Sequence, residues 1–144
     1  MKSVEKLLRV KGNQTWNIAP QATVYEALQL MSEKEVGAIL VLEEGKVVGI
    51  FTERDYARKL ILKGKFSKDT EVRELMTQEV LYVEPHDTIE HCMVLMTNKR
   101  VRHLPVLDNG QLAGIVSLGD MVKHIISEQE STIAQLEKYI TGSY

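Results

Sequence analysis

The stretch GIFTERD, residues 49–55, returns as GIVSLGD at 114–120. The offset is 65 positions, the separation of Pro20 from Pro85. Extended outward at that offset without a gap, 18–61 and 83–126 agree at 13 of 44 positions, where chance gives about three. The agreement includes punctuating residues: Pro20/Pro85, Thr23/Thr88, Gly45/Gly110, Gly49/Gly114 and Asp55/Asp120. A segment that recurs with its turn and cap residues in register is a duplicated structural unit.

Each copy reads the same way. Thr23 and Thr88 stand before apolar residues at helical spacing (Val24, Ala27, Leu28, Met31 and Ile89, Cys92, Met93, Met96), so each is an N-cap in the sequence reading. Glu26 adds the acidic partner of a capping box in the first copy. Short apolar runs follow at 38–42 and 104–107, too short for ordinary helices and closed by EEG or DNG. Runs at 47–51 and 112–116 complete a hairpin in each copy, and Asp108-Asn109-Gly110 is the stronger turn signal. A second helix begins near Thr52 or Ser117. One such unit is too small to bury its apolar surface alone. The expected fold is therefore α/β (α+β): two pseudo-symmetric β-α-β-β-α repeats packed sheet to sheet. The expected organisation is an N-terminal helical segment at 1–14, repeat 1 at 15–62, a linker at 63–79, repeat 2 at 80–127 and a helical tail at 128–144. Ile133, Leu136 and Ile140 give that tail an apolar face, to be packed on the chain's own core or on a partner.

Composition narrows the function classes. The 144 residues are 44% hydrophobic, with 18 basic and 20 acidic side chains and a formal charge of −2. No global basic field exists to attract nucleic acid. Cys92 is the only cysteine, which excludes an intrachain disulfide and any CxxC motif. The N-terminus has no apolar run of signal-peptide type, and no run approaches the roughly 20 residues of a membrane span. A soluble, cytoplasmic protein is expected.

VGAILVL (36–42) and VRHLPVL (101–107), each followed at a fixed distance by GIFTERD or GIVSLGD, resemble the CBS motif family, in which two tandem copies form one Bateman module. The resemblance covers about residues 15–127. It implies a regulatory module that senses an adenine nucleotide, with AMP the first choice, ADP, ATP or NAD(H) behind it, and S-adenosylmethionine an alternative. It also implies no metal requirement, a homodimer and a separate effector protein. Helix faces at Val24, Leu28 and Met31 and at Ile89, Met93 and Met96 are candidates for the dimer surface, or for burial within the monomer.

Physical chemistry gives the signature residues two readings. Thr52 and Asp55 lie one helical turn apart, on one face. They can cap a helix, or the carboxylate can accept both hydroxyls of a ribose while the helix N-terminus and Arg54 face a phosphate. The resemblance implies the second role. It places Arg102 and His103 at the phosphate of the Thr52/Asp55 site, with Arg100 and Lys99 nearby. The mirror-related site would join Ser117 and Asp120 to Gly37 and Ala38, which carry no charge; it would then stay empty, bind the adenosine part alone, or borrow Lys6, Arg9 or Lys11. Adenine would lie against Trp16, Ile18, Leu81, Tyr82 and Pro105, from entering strands at 16–18 and 80–82 and from the neighbouring strand segments. Trp16 and Tyr82 serve equally as base-stacking or core aromatics.

No GxxxxGK[ST] or GxGxxG motif occurs. His86, His91, His103 and His124 form no metal-binding spacing, and no nucleophile–base pair stands out. The sequence points away from an enzyme. The alternative to a sensor is a dimerisation scaffold that binds no ligand.

Overall fold

The structure, a computed structural model, describes residues 3–141, with side-chain surroundings described through residue 138. A helix and a hairpin recur in each repeat at the 65-residue offset. In the first, α2 (Val24–Lys34), β2 (Ala38–Glu43) and β3 (Lys46–Thr52) follow one another. In the second, α5 (Ile89–Lys99), β4 (His103–Asp108) and β5 (Gln111–Ser117) do the same. The threonine caps form: Thr23 Oγ1 accepts the Glu26 N–H at 3.1 Å, and Thr88 Oγ1 accepts the His91 N–H at 3.0 Å. Both hairpins turn through two successive left-handed residues, Glu44-Gly45 and Asn109-Gly110, with φ of 51°, 79°, 52° and 82°. That pair of positive angles gives the turn a twist matching the strands it joins.

The first hairpin gains a third strand from β1 (Asn17–Ile18), which runs parallel to β2. The expected counterpart at 80–82 does not form a strand. Its backbone turns early, with the Val80 N–H bonded to the Gln78 carbonyl at 3.0 Å, and only Val83 reaches β4, through a single parallel bridge to Val106. The second sheet therefore has two strands, β4 and β5.

Each repeat owns a core. Val24, Ala27, Met31, Ile39, Val41, Phe51 and Leu60 fill the first, and Ile89, Cys92, Met96, Leu104, Val106, Val116 and Met121 the second. Burying a side chain such as Phe51 is worth about 1.5–3 kcal/mol, and Phe51 has no exposed surface. These cores take up much of the helix faces considered for dimer contact: Val24, Met31, Ile89 and Met96 are buried inside their own repeats. A third cluster joins the two sheets through Ala38, Leu40 and Ile50, with Val47, Leu112 and Ile115 packed against it.

The segments leading into the repeats are exchanged. The short helix α4 (Val72–Leu75) precedes repeat 2 yet buries Val72 and Leu75 in the core of repeat 1. The helix α1 (Val4–Lys11) precedes repeat 1 yet buries Val4 and Leu7 in the core of repeat 2. Matching backbone bonds dock them: Val72 N–H to Ala22 O at 2.8 Å and Arg73 N–H to Pro20 O at 3.1 Å, against Val4 N–H to Asp87 O and Glu5 N–H to Pro85 O, both 2.9 Å.

The final helices differ. After β3 comes α3 (Glu53–Asp55), which widens into a π-helical segment at Tyr56–Ile61. After β5 comes α6 (Leu118–Thr141), unbroken for 24 residues. The tail expected as a separate segment from 128 is thus the continuation of the repeat 2 helix. It does not lie on the core: Ile133 and Leu136 remain 54% and 56% exposed. Ile140, the third residue of that expected face, has a side chain outside the described residues. No helix among the described residues is long and apolar enough to cross a membrane.

Candidate functional site

Each hairpin ends on a hydroxyl residue that begins the next helix, and both pairs close reciprocally. Thr52 Oγ1 accepts the Asp55 N–H at 3.1 Å while Asp55 Oδ2 accepts the Thr52 N–H at 3.0 Å. Ser117 Oγ accepts the Asp120 N–H at 3.1 Å while Asp120 Oδ2 accepts the Ser117 N–H at 2.8 Å. The capping role is therefore present in both copies. It fixes each carboxylate where strand gives way to helix and does not consume all its lone pairs.

Asp55 is only 6% exposed. Lys59 Nζ lies 3.0 Å from Oδ1, and Thr77 Oγ1 donates to the same oxygen at 3.3 Å. Thr77 arrives from the exchanged segment, pinned by backbone bonds in both directions with Ile50.

Beside this carboxylate opens a cavity of about 460 Å³, within the range of small-molecule sites. Thr52, Arg54 and Asp55 of repeat 1 line it together with Leu81, Arg100, Arg102 and His103 of repeat 2. Apart from Leu81, expected at the base, these are residues expected at one ribose–phosphate site, drawn from both repeats. Its lining holds five basic side chains (Arg54, Arg58, Lys59, Arg100, Arg102) against three acidic ones (Glu53, Asp55, Glu79), so the local balance is positive in a chain of net charge −2. Arg54 Nη1 donates to the Arg100 carbonyl at 3.1 Å, tying the first helical turn after β3 to the left-handed C-cap of α5, where Arg100 has φ 55°. Burial, with Lys11 next in weight, pushes the His103 imidazole below its ordinary pKa, so the ring is neutral at pH 7.

Several residues were not evident from the sequence. Lys59 had a signal, since it stands four places after Asp55 on one helical face. Thr77, Glu79 and Arg58 had none, because their place depends on the exchange of leading segments and on the widened turn.

The mirror-related residues are arranged differently. Lys11, the last residue of α1, donates to Asp120 Oδ2 at 2.7 Å and to the Ile115 carbonyl at 2.5 Å. Burial alone would raise the Asp120 pKa, but the Lys11 and Ser117 hydrogen bonds outweigh it and hold the carboxyl below its ordinary value. Of the other bases considered there, Arg9 pairs with Glu5 at 2.6 Å. Gly37 lies on the wall of the first cavity, against Glu53 and His103. Ala38 is buried in the cluster between the sheets.

The aromatic expectations part company. Trp16 packs against the repeat 1 core, with Lys34 Nζ 4.5 Å above its ring. It is held as a core aromatic, as Ile18 is held in β1 against Val41. Tyr82 is 52% exposed and does not line the cavity, which takes Val80 and Leu81 instead. Pro105 is buried, its carbonyl accepting the Val83 N–H at 3.0 Å. Among the described residues no cluster of three or more His, Cys, Asp or Glu side chains is placed to hold a metal ion.

Compared with known families, residues 17–62 and 72–127 match the CBS domain. The chain belongs to the CBS domain family. This CBS pair is 40% identical over 127 residues to the CBS domain-containing protein CBSX3, mitochondrial, of Arabidopsis thaliana, covering 85% of this chain and 62% of that protein's length. A crystal structure of a CBS domain, NE2398, superposes with a TM-score of 0.85 at 49% identity, over 87% of this chain and 98% of that one. The same fold, at a TM-score of 0.78 and 22% identity over 89% of this chain and 98% of that one, occurs in the CBS domain pair of protein MJ0100, solved in complex with 5′-methylthioadenosine and S-adenosyl-L-methionine.

Proposed function

We propose that this CBS pair is a regulatory module, not a catalyst, that binds an adenine nucleotide in the cavity at Asp55. The observation that carries the reading is one cavity combining the Thr52/Asp55 pair of repeat 1 with Arg100, Arg102 and His103 of repeat 2. In this reading the ribose hydroxyls meet Asp55, the phosphate meets the arginines and His103, and the base lies against Val80 and Leu81. AMP is the first ligand to test, then ADP, ATP and NAD(H). S-adenosylmethionine belongs in the same set, because the fold carries adenosyl ligands in the MJ0100 pair.

Binding between two repeats favours whichever arrangement of them fits the ligand, and linkage turns that preference into a signal. Output to a separate effector, in the cytoplasm, follows in the same reading. Association into a homodimer falls to apolar residues left at the surface, such as Val122 and Ile126 of α6.

A thermal-shift screen with each nucleotide near 1 mM tests the proposal. A ligand that binds only the folded chain raises the melting temperature, and at 100-fold saturation the stabilisation is about 2.7 kcal/mol. A shift with one of these ligands that is lost in Asp55→Ala supports it. No shift with any of them favours the scaffold alternative.

A further inference from the structure

We infer that the second cleft, headed by Ser117 and Asp120, is closed by the chain's own side chains, with Lys11 as the residue that closes it, so that each chain takes one nucleotide. The inference rests on the nucleotide reading of the first cavity and concerns what makes the duplicated sites unequal.

Three observations bear on it. The first lies at the sugar position. There the Lys11 ammonium, brought in from α1, sits 2.7 Å from Asp120 Oδ2. The same ammonium is anchored to the Ile115 carbonyl, so a sugar must break two bonds to displace it. Lys11 belongs to α1, which reaches repeat 2 only through the exchange of leading segments. Asp55 is also paired with a lysine, but Lys59 comes from its own helix and stands on the wall of an open cavity.

The second lies at the phosphate position. The residue that mirrors Arg102 is Gly37, and a Cβ built there would sit 3.5 Å from Glu53 Oε1 and 3.8 Å from His103 Cε1. Glu53 also lines the first cavity, where five basic side chains outweigh it, whereas Gly37 brings no base to offset it. Leu118, which mirrors Glu53, is uncharged; its N–H bonds the Arg102 carbonyl at 2.8 Å, as the Glu53 N–H bonds the Gly37 carbonyl at 3.1 Å. The backbones match and the charge does not.

The third is Ala38, which mirrors His103. It is 6% exposed and packed between the sheets. It offers a ligand neither a donor nor a charge.

Calorimetric titration of AMP into the purified full chain tests this directly. The wild type is expected to bind one equivalent, and Asp55→Ala to bind none. Lys11→Met combined with Glu53→Leu is expected to bind two, the second disappearing when Asp120→Ala is added. Lys11→Met alone releases only a partly exposed side chain and serves if the double variant does not fold; it should show a second, weaker binding event. Two equivalents in the wild type overturn the inference and leave the nucleotide reading standing. One equivalent in both folded Lys11 variants does the same. No binding by any variant, with AMP or with the other nucleotides of the screen, removes the nucleotide reading, and this inference with it.

Discussion

Met76 lies directly against the backbone of Gly49: a methyl group on that glycine would come within 2.5 Å of the Met76 sulphur and 3.1 Å of the Thr77 carbonyl oxygen. Gly49 is not required for its backbone angles. It is required because the exchanged segment passes over β3 with no room for a Cβ.

Gly49→Ala should therefore cost about 1–3 kcal/mol by overpacking, or roughly 3–4 °C of melting temperature per kcal/mol in a chain of this size. Gly114→Ala meets only the terminal methyls of Leu8, at 2.9 and 3.2 Å, and a side-chain tip moves more easily than backbone. The smaller loss is expected there. Thermal denaturation of both variants checks the order.

Asp55 serves the fold and the proposed ribose site together, so its two variants separate the roles. Asp55→Ala removes the helix cap and leaves Lys59 without its carboxylate, which costs about 1–2 kcal/mol of stability. Asp55→Asn keeps an acceptor for the Thr52 N–H but loses the charge. Both should weaken AMP at least tenfold by calorimetry, while Asp55→Asn melts closer to the wild type. Unchanged affinity in Asp55→Asn would show that no ribose depends on this carboxylate.

Arg102→Ala should weaken AMP more than adenosine, since a guanidinium acts on the phosphate and not on the nucleoside. Equal losses for the two ligands would place Arg102 outside the phosphate site. Calorimetry on one protein preparation measures both.

The Lys11–Asp120 pair gives a pH dependence of known sign. The folded-state pKa of Asp120 is depressed, so the unfolded chain binds its proton more readily. The pair's stabilisation is present above the unfolded carboxylate value and is lost as pH falls through the folded one. Lys11→Ala should cost about 1 kcal/mol at pH 7, because the pair is partly exposed. The difference from wild type should shrink in acid. Urea melts at pH 7 and pH 3.5 measure it.

Cys92 should be chemically silent. Burial pushes its thiol up to about 11, which leaves almost no thiolate near pH 8. Iodoacetamide should label it only after denaturation. Rapid labelling of the native chain would mean that the repeat 2 core opens readily.

Local chemistry made much of this readable in advance. The hairpins follow from Glu44-Gly45 and Asn109-Gly110, and the helix starts from Thr23, Thr88, Thr52 and Ser117, all of which act on neighbours within four residues. Asp55 was legible because the repeat doubles it in Asp120, whereas Arg100 and Arg102, whose mirrors are Glu35 and Gly37, came only from the family resemblance. The exchange of α1 and α4 was not, since it depends on contacts between distant segments such as Lys11 and Asp120, 109 positions apart. Nothing in the periodicity of Val4, Leu7 and Leu8 says which repeat they cover. The entering strand at 80–82 fails for a local reason, the turn at Gln78, while Trp16 carries no pattern that distinguishes a base platform from a core ring.

The unbroken course of α6 has a mechanical consequence. Its first turn holds Asp120, and the same helix runs 24 residues, leaving the core on the way, about 36 Å in all at 1.5 Å per residue. A tilt of about 5° at that base moves the far end by about 3 Å. Any change in how Ser117 and Asp120 are gripped is thus delivered, enlarged, to a place remote from both clefts, where α6 acts as a lever arm.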